Sequence, residues 1–178
     1  KMRKINNSLE TEIVNALNEQ IWLENNASFY YLKLSIEFND AGFGGISQFF
    51  LNQSNEERKH MIKLIMYVME KDSCPSLPQY NFMEEKENNF NVLSHFETSL
   101  FNEREVTNSI NKIISKCKEV GDYTTENFLQ WFINEQREEE NKFKEIIDNL
   151  KIIGDDGLGL YEINKELSNL KNRVDALE

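Results

Sequence analysis

Apolar residues recur along this chain at steps of three and four positions over four long segments. That spacing places the side chains on one face of an α-helix, so the pattern predicts four amphipathic helices. The predicted helices cover residues 8–38, 49–71, 87–120 and 125–150. A fifth, shorter helix is predicted after Gly157, with an apolar side formed by Leu160, Ile163, Leu167 and Leu170. It has too little apolar surface to fold alone, so we expect it to dock on the others.

The connections predict how these helices are arranged. Ser8 is the expected N-cap of the first helix, and the glycines within residues 42–45 form a short turn, so the second helix returns antiparallel. Residues 72–86 contain both prolines and read as extended chain; at ~3.3 Å per residue they reach ~50 Å, more than the ~40 Å length of such helices. The sequence therefore predicts an all-α, four-helix bundle with one long crossover and a short fifth C-terminal helix, forming a single domain over residues 1–178.

Each long helix carries one acidic residue within its apolar stripe, near the middle. These residues are Glu24, Glu57, Glu103 and Glu139. A buried, unpaired carboxylate costs several kcal/mol, and no Lys or Arg lies on the same stripes to compensate. The four residues therefore predict bound cations, although an acidic residue on a predicted stripe also arises when its side chain is partly exposed.

Two further side chains narrow the chemistry of this site. His60 follows Glu57 by one helical turn, and Gln136 precedes Glu139 by one turn. A Glu-x-x-His pair on one helix face is a metal-ligand geometry. Oxygen ligands with one imidazole and no thiolate suit iron or manganese, and zinc can occupy them too.

A second acidic group lies beside the first in the sequence. Glu135 and Glu138 are one turn apart and, with Glu56, provide carboxylates for a third cation; the alternative is a solvated acidic face. Tyr31 lies two turns beyond Glu24 on the same stripe, within reach of the site, and the alternative there is core packing. Trp131 is expected to pack in the bundle.

Composition and charge limit the class of protein. The net charge of −11 argues against binding nucleic acid or anionic membranes. No apolar run approaches the roughly 18 residues that span a bilayer, and no apolar segment follows the basic start, so we expect no signal peptide. Cys74 and Cys117 are far apart, which favours free thiols in a reducing compartment, the cytoplasm. We expect Cys117 in the core, Cys74 in a loop and His95 on the surface.

Four stretches resemble the bacterial-type ferritins that lack haem. They are Leu-Asn-Glu-Gln-Ile-x-x-Glu-x-x-Ala-Ser at 17–28, Glu-Glu-Arg-Lys-His-Met at 56–61, Phe-Leu-Gln-Trp-Phe-x-x-Glu-Gln-Arg-Glu-Glu-Glu at 128–140 and Gly-Leu-Tyr-x-Ile-x-Lys-Glu-Leu at 159–167. The resemblance implies a homo-oligomer, a hollow twenty-four-subunit shell that stores ferric mineral. It also implies a ferroxidase, which oxidises Fe(II) with dioxygen or peroxide at a di-iron centre inside each subunit.

The resemblance also assigns roles to residues. For a first iron it implies the ligands Glu24, Glu57 and His60. For a second iron it implies Glu57 as the bridge, with Glu103, Glu139 and nearby Gln136. It implies a third iron site lined by Glu56, Glu135, Glu138 and Glu139. Tyr31 would lie beside the centre, and Arg137 stands where several relatives have His, which leaves its effect on the third site open.

Four alternatives compete with a ferroxidase that stores iron. Bacterioferritins bind haem and repeat Glu-x-x-His on the fourth helix, where this chain has Gln136-x-x-Glu139. DNA-protecting mini-ferritins lack the fifth helix and build the centre across a subunit interface. Rubrerythrin-like peroxidases need two Glu-x-x-His motifs and usually a Cys-x-x-Cys part. A non-catalytic shell would have lost several ligands, and here none is missing.

Overall fold

Five helices account for most of the residues that the structure describes. The computed structural model describes residues 8–77, 91–154 and 156–174, with side chains as far as residue 169. The helices are α1 (Thr11–Asp40), α2 (Gly44–Glu70), α3 (Val92–Val120), α4 (Tyr123–Ile153) and α5 (Gly157–Val174). No strand occurs within those described ranges, and the predicted all-α fold is confirmed.

The first helix begins later than predicted. Its N-cap is Glu10, whose side chain makes no capping hydrogen bond, so the expectation for Ser8 was wrong. The backbone N–H of Leu9 donates to Ser73 Oγ at 3.3 Å. This bond ties the chain before α1 to the segment that follows α2.

The second helix begins earlier than predicted, because another helix caps it. Gly44 and Gly45 belong to the first turn of α2 rather than to the preceding turn. Asn164 Oδ1 accepts hydrogen bonds from Gly45 N at 2.8 Å and Ile46 N at 3.1 Å. A Cβ atom on Gly45 would lie 1.7 Å from the carbonyl oxygen of Asn164. Only glycine therefore allows α5 to approach the start of α2 this closely.

The third helix starts at Val92 instead of residue 87. Asn91 has an extended backbone, and its side chain accepts a hydrogen bond from Ser94 N at 2.8 Å. An Asn side chain in this position satisfies one of the free N–H groups of the first turn. The predicted start was thus wrong, and residues 87–90 lie outside the described part of the chain.

Hydrogen bonds between neighbouring helices show their directions. Ser28 Oγ donates to the carbonyl oxygen of Ser54 at 2.8 Å, and the Oγ atoms of Ser35 and Ser47 lie 3.2 Å apart. Later positions on α1 thus meet earlier positions on α2, and the two helices are antiparallel. The ion pairs between α3 and α4 follow the same order.

The core consists of two apolar clusters, one towards each end of the bundle. The first includes Ile13, Leu17, Leu64, Val68, Ile114, Cys117 and Leu129. The second includes Leu34, Phe38, Phe50, Phe96, Phe143, Ile147 and Leu167. The end of α2 contributes to the first cluster and the start of α3 to the second. The connection between α2 and α3 therefore joins opposite ends of the bundle, as the predicted long crossover requires, although residues 78–86 lie outside the description.

The fifth helix docks on the bundle as predicted. Ile163 and Leu167 are each only 5% exposed and belong to the second cluster, and α5 packs on α2 and α4. Within the described ranges no helix combines the length and the apolar character that crossing a membrane requires.

Three smaller expectations had mixed outcomes. Cys117 is buried in the core and Cys74 is exposed, and both are free thiols, as predicted. His95 is buried, so its expected surface position was wrong. Its ring packs edge-on against Phe38, with ring centroids 5.5 Å apart, in the aromatic end of the bundle.

Candidate metal centre

A layer of polar side chains separates the two apolar clusters. The four carboxylates that interrupt the helix stripes all lie in it and are nearly inaccessible to solvent. Their exposed fractions are 0% for Glu24, 0% for Glu57, 1% for Glu103 and 4% for Glu139. Each long helix supplies one carboxylate to the same level of the bundle, because each stripe faces the common core.

Helices α1 and α2 bring together Glu24, Glu57 and His60. Ligand atoms of these three residues all lie within 4.8 Å of one another, and all three side chains are buried. His60 Nδ1 lies 3.3 Å from Glu57 Oε2 and 3.8 Å from Glu24 Oε2. The three groups thus surround one position that a single cation can occupy.

Helices α3 and α4 bring Glu103 and Gln136 together, with Tyr31 from α1. The Tyr31 hydroxyl donates to Glu103 Oε1, and Gln136 Nε2 donates to Glu103 Oε2 at 2.9 Å. The Tyr31 ring is fully buried and stacks on Phe50 and Phe143, with centroids 5.8 Å and 5.7 Å away. Tyr31 therefore packs in the core and also orients a carboxylate of the polar layer. Core packing and a position beside the site, the two alternatives that the sequence left open, both hold.

Glu139 on α4 accepts hydrogen bonds from two side chains. Gln53 Nε2 on α2 donates to Glu139 Oε2 at 2.6 Å. Lys142 Nζ lies 2.9 Å from Glu139 Oε1 and 3.1 Å from Oε2. No Lys or Arg was expected on the stripes, and Lys142 lies beside one rather than on it, but its ammonium group still pairs with Glu139. Lys142 follows Glu139 by three residues, and a long helical side chain leans back over the preceding turn.

Several buried oxygen atoms in this layer have no hydrogen-bond donor among the residues that the structure describes. They are Gln20 Oε1, Glu24 Oε2, Glu57 Oε1 and Gln136 Oε1. Buried polar atoms in folded proteins nearly always have a partner, and a carboxylate without one is costly. Hard oxygen atoms beside one imidazole fit Fe(II), and they also accept Zn(II) or Mn(II).

The electrostatics show how the site holds its charge without metal. Burial raises the pKa of Glu57 well above its usual value, and the negative charge of Glu103 raises it further. Burial also raises the pKa of Glu103 to about 7. For His60 burial lowers the pKa, but the neighbouring carboxylates of Glu24 and Glu57 outweigh it and raise the pKa to about 11. The raised pKa values mean that Glu57, Glu103 and His60 bind protons more readily than exposed groups do when no metal is present.

The outer acidic group lines a cavity beside this layer. The cavity measures about 430 Å³, and its walls include Glu56, Glu135, Glu138 and Glu139. Three lysines share these walls: Lys59, Lys63 and Lys142. Trp131 and His60 line the cavity as well, with the Trp131 ring edge-on to His60 at 5.6 Å and Lys63 Nζ 3.6 Å above the face of the Trp131 ring. The cavity is therefore a mixed-charge opening and not a purely acidic one.

The sequence of this chain matches the ferritin-like domain family over residues 14–153. The chain belongs to the ferritin family. It is 37% identical over 167 residues to the probable bacterial non-heme ferritin-like protein of Haemophilus influenzae, covering 93% of this chain and 99% of that protein. It is 37% identical over 163 residues to the bacterial non-heme ferritin of Campylobacter jejuni, covering 91% and 96%.

A solved structure shows the same architecture. The open pore ferritin from Archaeoglobus fulgidus superposes on this ferritin with a TM-score of 0.85 at 33% identity, covering 90% of this chain and 98% of that one. The bundle with its short C-terminal helix is thus the ferritin fold.

Sequence patterns missed two polar neighbours of the centre in this ferritin. Gln53 lies on the α2 stripe, but its contact with Glu139 depends on how α2 faces α4. Lys142 lies beside the α4 stripe, and the signal that points to it is the three-residue spacing of a helical Glu–Lys pair. Both contacts require the folded arrangement of α2 and α4.

Proposed function

We propose that this ferritin oxidises Fe(II) to Fe(III) at a two-iron centre inside each subunit, with dioxygen or hydrogen peroxide as the electron acceptor. Each Fe(II) loses one electron. Dioxygen takes two electrons and two protons to become hydrogen peroxide, or peroxide takes the same to become two waters. The observation that carries the proposal is the set of donorless, fully buried carboxylate oxygens on Glu24 and Glu57 beside His60.

In this proposal the first iron is held by Glu24, Glu57 and His60. The ligand atoms of this trio are close enough to surround one ion. Glu57 has two carboxylate oxygens, of which Oε2 faces His60 and Oε1 has no donor. The free oxygen suits a bridge to a second ion.

The second iron is held by Glu57, Glu103 and Glu139, with Gln136 close by. Tyr31 and Gln136 each bond one oxygen of Glu103, so that carboxylate is held in a fixed orientation. Gln136 Oε1 has no donor and is free to contact an ion or its water. Carboxylates are hard ligands that stabilise Fe(III) relative to Fe(II), which favours electron loss.

We also propose assembly into a hollow twenty-four-subunit shell that stores the ferric product. An exposed apolar stripe on α1 supports a homo-oligomer, because exposed apolar patches of this kind mark protein interfaces. It consists of Trp22, Phe29, Leu32 and Ile36. The two free cysteines favour a reducing compartment, for which we propose the cytoplasm.

The proposal is tested by mixing metal-free protein with Fe(II) under nitrogen and then adding oxygenated buffer. Absorbance of ferric species is followed against time, and size exclusion reports the assembly. We expect rapid colour with wild type and none of the fast phase with Glu57→Ala, while the assembly stays intact. Glu19→Ala, at an exposed position on α1, is the matched control. Equal initial rates for wild type and Glu57→Ala would reject the assigned bridge, and no colour with either would reject the enzyme.

A further inference from the structure

We propose that Lys142 serves as a built-in cation of the outer carboxylates, and that its ammonium group takes the position where a third divalent ion would bind. The subunit would then hold two divalent ions tightly and not three. This inference rests on the proposed two-ion centre and changes one part of it. The third iron site expected from the sequence is occupied by the chain itself.

The contacts of Lys142 show how completely its ammonium group is coordinated. Nζ lies 2.9 Å and 3.1 Å from the two oxygens of Glu139. It lies 3.3 Å from Glu56 Oε2 and 3.1 Å from Gln53 Oε1. An ammonium group has three N–H donors, so four oxygens on three side chains saturate it.

Lys142 lines one cavity together with the outer acidic residues. Glu135 and Glu138 line the same cavity as Glu56, Glu139 and Lys142. A third divalent ion there would use oxygens of Glu56 and Glu139, which Lys142 already contacts. Two cations cannot share those oxygens at a separation of about 3 Å without strong repulsion. Binding a third ion therefore requires Lys142 to leave.

Lys142 can leave these carboxylates, but the free energy needed to displace it lowers the affinity for the third ion. The Lys142 side chain is 35% exposed, so it has a path to solvent. It would give up its contacts with Glu139 and Glu56, and a hydrogen bond between charged groups typically corresponds to a factor of about ten or more in an equilibrium constant. The first ion meets no such competition, because none of Glu24, Glu57 and His60 contacts Lys142. The second ion shares only Glu139 with Lys142 and keeps Glu57 and Glu103, whereas a third ion would compete with Lys142 for both Glu56 and Glu139.

The test is equilibrium dialysis of the metal-free full-length protein against Zn(II), which is redox-inert and gives no mineral. We expect two tight ions per subunit for wild type and a third for Lys142→Met, with at least about a tenfold gain in affinity for that third ion. Lys144→Met is the matched control, because Lys144 lies on the same helix and pairs with exposed Asp148 at 2.6 Å. The control removes the same charge and should bind as wild type does.

Further variants keep the test decisive. Adding Glu56→Gln to Lys142→Met should remove the third ion again, and Lys142→Gln replaces Lys142→Met if the latter does not assemble. The inference is overturned if wild type already binds three tight ions, or if removing the Lys142 charge leaves the number and affinities unchanged. Failure of the two-ion centre itself gives a different result: wild type then binds no ion that Glu57→Ala removes.

Discussion

Replacing Glu57 by glutamine separates the free-energy cost of burying this carboxylate from the free energy that it gains by binding metal. Glu57 is fully buried, and burial with Glu103 raises its pKa well above the ordinary value of 4.5. Without metal, the folded protein therefore favours a proton on this group more strongly than the unfolded chain does. The ordinary pKa lies about 2.5 units below pH 7. At about 1.36 kcal/mol per unit, burying Glu57 therefore lowers the free energy of unfolding at pH 7 by at most about 3 kcal/mol.

The sign of the pH dependence follows from the raised pKa. The folded protein holds the proton more firmly than the unfolded chain does, so this contribution to stability is fully present below about pH 4.5. It is lost as the pH rises towards the folded-state pKa. Glu103, whose pKa rises from 4.5 to about 7 on folding, contributes stability that is lost over the same direction of rising pH. Glutamine at position 57 stays neutral and removes one of these two contributions.

The assay is denaturant unfolding in the presence of a chelator, between about pH 5 and pH 7, at one protein concentration. We expect Glu57→Gln to be more stable than wild type by up to about 3 kcal/mol at pH 7, with the gap closing towards low pH. Adding Zn(II) should reverse the order, because only wild type gains from tight binding. Glu19→Gln, on the exposed side of α1, controls for the change in net charge. A variant equal to wild type or less stable at pH 7 without metal would refute the electrostatic reasoning.

Three further results are expected. Zn(II) binding should release roughly two protons per subunit near neutral pH, since metal replaces protons on groups whose pKa is raised, such as Glu103. Calorimetry in two buffers of different ionisation enthalpy measures this release, and a binding enthalpy that does not depend on the buffer would contradict it. Tyr31→Phe keeps the ring packing but leaves Glu103 Oε1 without its donor, so it should lower stability by about 1–3 kcal/mol and slow the first oxidation, as unfolding and stopped-flow absorbance will show. Gly45→Ala places a Cβ 1.7 Å from the carbonyl oxygen of Asn164, so it should loosen α5 and speed its removal by protease, whereas an unchanged cleavage rate would contradict the docking.

The sequence predicts well which face of each helix is buried, because the spacing of apolar residues determines it. It predicts the starts of the helices less well, because capping contacts determine them. The stripes of the long helices face the core as expected, because apolar spacing is a property of each helix alone. The start of α2 was misplaced because its cap, Asn164, lies on a different helix. The start of α3 was misplaced because the spacing of apolar residues does not reveal a capping residue, here Asn91, whose side chain accepts a hydrogen bond from Ser94 N.

The same distinction holds for the candidate site. Glu24, Glu57, Glu103 and Glu139 were recognised because each interrupts an apolar stripe, and the structure buries all four. The salt bridges of Lys142 could not be predicted in the same way, because this residue lies off the stripe and its aliphatic chain carries the charge back to Glu139. His95 was misjudged because an aromatic pocket around Phe38 exists only after α1 and α3 pack.

The most direct measurement of the central claim is the location of metal inside the assembled protein. Crystals of the full-length chain soaked in Zn(II) and measured at the zinc absorption edge would show it. We predict two strong anomalous peaks per subunit within the bundle, at about 2.0–2.2 Å from ligand atoms. One should lie among Glu24, Glu57 and His60, and the other among Glu57, Glu103 and Glu139. Peaks confined to the surface, with no metal among these buried carboxylates, would contradict the account.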